Sequence, residues 1–135
     1  MKLEDFPLSW RWTDSRHSAL PKAVLAQLQP MPKKKAREAF EQTRQFSKLA
    51  GITQPADVSD EEGSRWLRAQ QVEPTESITI SWSPDCALRT RWTVFADHWS
   101  DFCYPSSDDL VVWPDSKRWV LFYDHDEVFR FAPNA

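Results

Sequence analysis

Glycine is nearly missing from this chain, with two in 135 residues. Few positions can therefore adopt positive φ without strain, and ten prolines take over much of the punctuation. Cysteine is as scarce. Cys86 and Cys103 form no CxxC pair, and two thiols alone do not make a structural zinc site, so both are expected free in a reducing compartment. No apolar run approaches the roughly 18–20 residues that a bilayer-spanning helix needs. The opening MKLEDFPLSWRW has acids near its start and lacks the apolar core of a signal peptide. These absences predict a soluble cytosolic protein with no membrane association. An excess of basic charge is missing too: 17 Lys and Arg stand against 20 Asp and Glu, a net charge of −3. Bulk charge thus gives no reason to expect nucleic-acid binding. Neither HExxH nor EF-hand spacing occurs, and no metal or cofactor is expected.

What the chain has in abundance is aromatic surface: eight Trp, eight Phe and two Tyr. At about 200 Å² each when buried, these side chains can build the core of one domain spanning residues 1–135. The first half reads as mainly helical, over about 18–71. Leu8–Trp12 alternates and is expected to form a short edge strand or an extended arm pinned by its tryptophans. Pro21 opens a short helix, which Pro30 and Pro32 end. Ala36, Phe40, Thr43 and Phe46 then follow helical spacing, and the helix is expected to reach Ala50 with Gly51 just beyond it. Ser59 and Glu62 form a capping box for a helix to about Gln71 that buries Trp66 and Leu67. Residues 51–58 and 72–76 read as loops.

The period changes at Ser77. Ile78, Ile80 and Trp82 alternate with Ser77, Thr79, Ser81 and Ser83, a half-buried strand. A turn at Ser83-Pro84-Asp85 leads to a second strand, Leu88 to about Phe95. Trp92, Phe95, Trp99 and Phe102 carry a rival helical spacing, so a short helix is placed over Asp97–Phe102. Leu110–Trp113, Trp119–Tyr123 and Val128–Phe131 read as a three-stranded meander, with turns at 114–117 and 124–126. The expected class is α+β: N-terminal helices packed on a C-terminal antiparallel sheet of about five strands over 77–132.

FYDHDEVFRF, residues 122–131, concentrates the chemistry. Asp124-His125-Asp126 suits a hairpin reversal, since Asp and His tolerate left-handed backbone and Asp bonds turn amides. Were the loops to converge, His98, Asp108, His125 and Asp126 would form a hydrolase group, with or without a metal. Cys103 as a nucleophile is disfavoured by the acids around it. Charge is polarised as well. Residues 33–48 carry six Lys or Arg and two Glu, whereas 97–127 carry seven Asp and one Glu against Lys117 and Arg118. An acidic region of this kind speeds encounter with a basic protein and selects it by charge. Asp97, Asp101, Asp108, Asp109, Asp124 and Asp126 would supply the charge, with Trp99 and Tyr104 as anchors.

The run WSDFCYPSSDDLVVWPDSKRWVLFYDHDEVFRF, Trp99 to Phe131, covers about a quarter of the chain. It resembles the C-terminal part of small single-domain bacterial proteins of unknown function. In size and layout the chain also resembles the immunity proteins that neutralise antibacterial toxins. That resemblance implies a binding role, and an acidic inhibitor suits a basic target. The expectation is a small cytosolic bacterial binding protein that engages a basic partner through an acidic, aromatic-containing face. The hydrolase group is the alternative.

Overall fold

Alternation in the second half of the chain produces a sheet with two usable faces. The computed structural model describes residues 1–14 and 19–134; the expected start of the helical part at residue 18 lies outside them. Five α-helices are α1 (Trp10–Thr13), α2 (Lys22–Leu25), α3 (Lys33–Gln42), α4 (Asp60–Arg68) and α5 (Trp92–Phe102). Seven strands are β1 (Gln29–Pro30), β2 (Ile52–Pro55), β3 (Ser77–Ser83), β4 (Cys86–Arg91), β5 (Leu110–Pro114), β6 (Trp119–Asp124) and β7 (Val128–Pro133). They form one antiparallel sheet in the order β1-β4-β3-β5-β6-β7-β2. The α+β class is as expected, with seven strands rather than about five.

Both extra strands come from the first half. Ile52–Pro55 adds to the edge of β7, with Thr53 opposite Arg130, where a loop was expected. A four-residue strand ending in proline carries no periodicity to reveal it, and only β7 makes it a strand. Gly51 leads into it and does not cap a helix: the helix α3 gives way to a 3-10 turn, Thr43–Phe46, and neither glycine has positive φ. Gly51 is needed because a Cβ there would lie 2.3 Å from the Phe131 carbonyl oxygen.

The rival spacing after β4 wins outright. The strand stops at Arg91, and Trp92 begins α5, which bends at His98 (φ −126°, ψ 26°). Trp92, Phe95, Trp99 and Phe102 are all buried, so the i, i+3, i+7, i+10 stripe outweighs two further residues of alternation. This helix lies between one sheet face and α4, in a core with Ile78, Ile80, Leu88, Leu121 and Phe129. Leu8–Trp12 is not a strand either; it forms a turn and the α1 helix. Trp12 is fully buried, so it does pin the N-terminal segment to the core. Of the two residues expected to be buried on α4, Leu67 is and Trp66 is half-buried, stacked on Phe129.

Three indoles hold this layer together by hydrogen bonds as well as by area. Trp12 Nε1 donates to the Asp101 carbonyl (2.8 Å) and Trp82 Nε1 to the Phe102 carbonyl (3.0 Å). Those carbonyls belong to the last turn of α5, which has no intrahelical donors left for them. Trp99 Nε1 donates to the Asp60 carbonyl at the start of α4 (3.0 Å). As expected, the Ser59 hydroxyl caps that helix by accepting from the Glu62 amide (3.2 Å).

The opposite sheet face is covered by less. Ala36, Ala39 and Phe46 pack on Ala87, Trp113, Val120 and Ala132, so α3 and the following turn run across the strands near their middle. Grooves remain on either side.

Gly63 sits where α4 meets α5, and a Cβ there would fall 2.3 Å from the Trp99 indole. Gly63→Ala should therefore lower stability by about 1–3 kcal/mol, despite alanine's better helix propensity, as read from the midpoint of urea unfolding.

Candidate functional site

The acidic residues of the last third fall into two groups once folded. Asp108 belongs to the interior. Arg11 donates to both of its carboxylate oxygens (2.6 and 3.0 Å), and the Tyr104 amide donates to one of them (2.8 Å). Arg11 and Asp108 are 5% and 7% exposed, which turns the expected partner-facing charge into a buried internal pair. The guanidinium also lies 3.8 Å from the Tyr104 ring centroid, with the Trp10 ring 5.6 Å away. Tyr104 is thus occupied as one wall around Arg11. Asp97 is exposed but bonded to Arg68 of α4. Asp101 is half-buried on α5, and burial raises its pKa, opposed by nearby His98. Trp99 is 4% exposed and fills the α4–α5 seam, so it serves the core and is not a surface anchor.

The second group gathers at the β6–β7 turn. The Glu127 amide donates to the Asp124 carbonyl (2.9 Å), and the Asp126 amide to the Asp124 carboxylate (2.9 Å). This is the expected reversal, with the left-handed residue at Glu127 (φ 61°). From the neighbouring connection, Asp109 reaches over the turn. It accepts from the His125 amide (3.0 Å) and from His125 Nδ1 (2.9 Å). These hydrogen bonds hold the Asp109 carboxyl below, and the His125 imidazolium above, their ordinary pKa values. Asp109, His125 and Asp126 are exposed.

The sheet register places this rim beside a groove. Ser81, Val111, Phe122, Arg130 and Thr53 are successive cross-strand partners and share one face. Asp109 and Asp124 each lie one residue beyond the paired Leu110 and Tyr123. They border the same groove, a cavity of about 410 Å³ whose other wall is Phe40 and Thr43. Its floor is half-open: Val111, Phe122 and Arg130 are half-buried and Phe40 is 36% exposed. Arg130 is anchored there, its guanidinium 4.1 Å from the Phe122 centroid and donating to the Leu49 carbonyl (2.7 Å). Ser81 is 2% exposed and its hydroxyl has no hydrogen-bond partner.

Within the hydrolase group His125 and Asp126 are neighbours, and Asp108 is bonded elsewhere. Asp108 is held by Arg11, His125 by Asp109 with Asp126 3.9 Å from Nε2, and His98 acts electrostatically on Asp101. Both thiols are buried and free; burial pushes Cys86 up to about 12 and Cys103 well above its usual value. Among the described residues no group of three or more His, Cys, Asp or Glu is placed to hold a metal ion, and no helix is long and apolar enough to cross a membrane. Sequence reasoning missed Ser81, Val111, Phe122, Arg130 and Phe40. The alternation of β3 did place Ser81 on the face opposite Ile80. Nothing local showed that α3 would leave that face partly bare. No protein-family model, curated protein or solved structure matches the chain.

Two outcomes follow from these pairs. Arg11→Met should cost about 3–5 kcal/mol by leaving Asp108 buried and unpaired, and the Arg11→Met/Asp108→Leu double variant should recover much of that loss; chemical denaturation measures both. The folded pKa of His125 is raised, so its protonated pair with Asp109 is fully formed below the unfolded value near 6.5 and is lost as pH rises through the folded value. At the acid end the pair fails as pH falls through the lowered pKa of Asp109. An NMR titration should place the His125 midpoint above 6.5, and Asp109→Asn should bring it down.

Proposed function

We propose that this is a cytosolic binding protein that holds a basic protein partner against the acid-rimmed end of its sheet and works without a cofactor. The observation that carries this reading is the placement of Asp109 and Asp124 together on one groove rim, with Asp126 on the same turn. Carboxylates on neighbouring strands repel each other. Turn amides and His125 partly offset that repulsion, and a cation between them would relieve it further. Asp97, Asp101 and Asp108 take no part, being held by Arg68, burial and Arg11 respectively. Inhibition of an enzyme of the immunity-protein kind is the form that the sequence resemblance favours. Hydrolysis has weaker support, because Asp108 is buried against Arg11 while His125 is held by Asp109.

Affinity capture from the native host's extract tests the reading. A basic partner should be retained at low salt, released at about 0.5 M salt as screening shortens the electrostatic range, and held roughly tenfold less by Asp109→Asn/Asp124→Asn. Equal retention by the wild type and that double variant at both salt concentrations would overturn it.

A further inference from the structure

The geometry points to the chemistry that the groove selects: an extended segment of the partner in which a lysine or arginine stands next to apolar side chains. This inference rests on the proposed binding role and adds to it what the groove itself recognises. The floor crosses five strands, β3, β5, β6, β7 and β2, at one register level. With neighbouring strands about 4.8 Å apart, that row is about 19 Å long, the reach of roughly six extended residues. Such a segment would lie alongside α3 and the turn after it, with Phe40 and Thr43 as one wall and Asp109, Asp124 and Val128 as the other.

Its polarity follows from the charges present. The carboxylates of Asp109 and Asp124 stand at the ends of β5 and β6, while the guanidinium of Arg130 reaches from β7 over the Phe122 ring and is already committed to Phe122 and Leu49. A ligand cation therefore belongs at the rim, between Asp109 and Asp124, and not over the floor that Arg130 covers. Val111, Val128 and Phe40 then present apolar surface to the ligand's neighbouring side chains and to the methylene stem of the cation.

Ser81 supplies an observation independent of the acids. Its hydroxyl is buried at the β3 end of the same floor and bonds to nothing. A sequestered hydroxyl without a partner destabilises the free protein. A donor or acceptor from a bound segment would remove that penalty. Ser81→Ala should therefore stabilise the free protein and weaken binding, a combination that a merely structural serine would not produce.

Calorimetric titration of the whole protein with two acetylated, amidated peptides of equal length and charge tests this. One alternates valine and lysine; the other alternates serine and lysine. The valine–lysine peptide should bind at least about tenfold more tightly. Ser81→Ala should raise the melting temperature and reduce binding of that peptide several-fold. Equal binding of the two peptides, lost together in Asp109→Asn/Asp124→Asn, would overturn the groove's selectivity while supporting the acidic rim. Spermine binding as tightly as the valine–lysine peptide would overturn it too, since charge alone would then suffice. So would a dimer in light scattering that the peptide dissociates, which would make a second copy of the chain the occupant. Binding of neither peptide would overturn both the groove inference and the rim as a general receptor for cationic segments.

Discussion

The last turn of α5 exposes carbonyl oxygens that its own backbone cannot satisfy, and two tryptophans supply the missing donors. Trp12 reaches Asp101 from the N-terminal segment, and Trp82 reaches Phe102 from the end of β3. An indole combines a large apolar surface with one directed N–H, so it can be buried and still cap a helix. The same rings pack with Phe6 and Phe102, and Phe102 in turn with Phe95, which ties the N-terminal segment, the sheet and α5 into one cluster. Trp99 makes a different link, from α5 to the first-turn carbonyl of Asp60 on α4, where Gly63 admits its ring. Two of the eight tryptophans thus have a structural role beyond area: they satisfy a helix end that lies inside the core.

The two sheet faces differ in how they are covered. On the α5 side, aromatic rings meet aliphatic strand residues in a closed core. On the α3 side, two alanines and Phe46 allow a close approach over the middle of the strands. Small side chains bring the helix backbone down onto the sheet, and they do not fill the space beside it. The groove at the acidic end is what remains. An orphan hydroxyl and two neighbouring carboxylates beside a half-exposed apolar floor are arrangements that a chain optimised for stability alone would avoid.

Electrostatics divides along the same line. Asp108 spends its charge internally on Arg11, an interaction between residues at opposite ends of the chain. Asp97 and Asp115 bond to Arg68 and Arg89. The concentration of acids between residues 97 and 127 therefore overstates the free negative surface. What remains is confined to one turn and its neighbour, with His125 as a partial counter-charge whose strength falls as pH rises.

Much of the architecture was readable along the chain because it depends on local periodicity. Residues 77–83 alternate, Ser59 with Glu62 caps α4, and the three last strands and their turns fall where apolar runs and polar tetrads put them. Where two periods competed, after Arg91, burial of four aromatics on one helical stripe decided the outcome. The edge strand at Ile52–Pro55, the pairing of Arg11 with Asp108 and the burial of Trp99 were not readable. Each depends on a partner distant in the chain, and composition says nothing of which partner folding will bring near. The groove is a further step removed. It is defined by where α3 stops covering the sheet, a property of packing that no single stretch of residues carries.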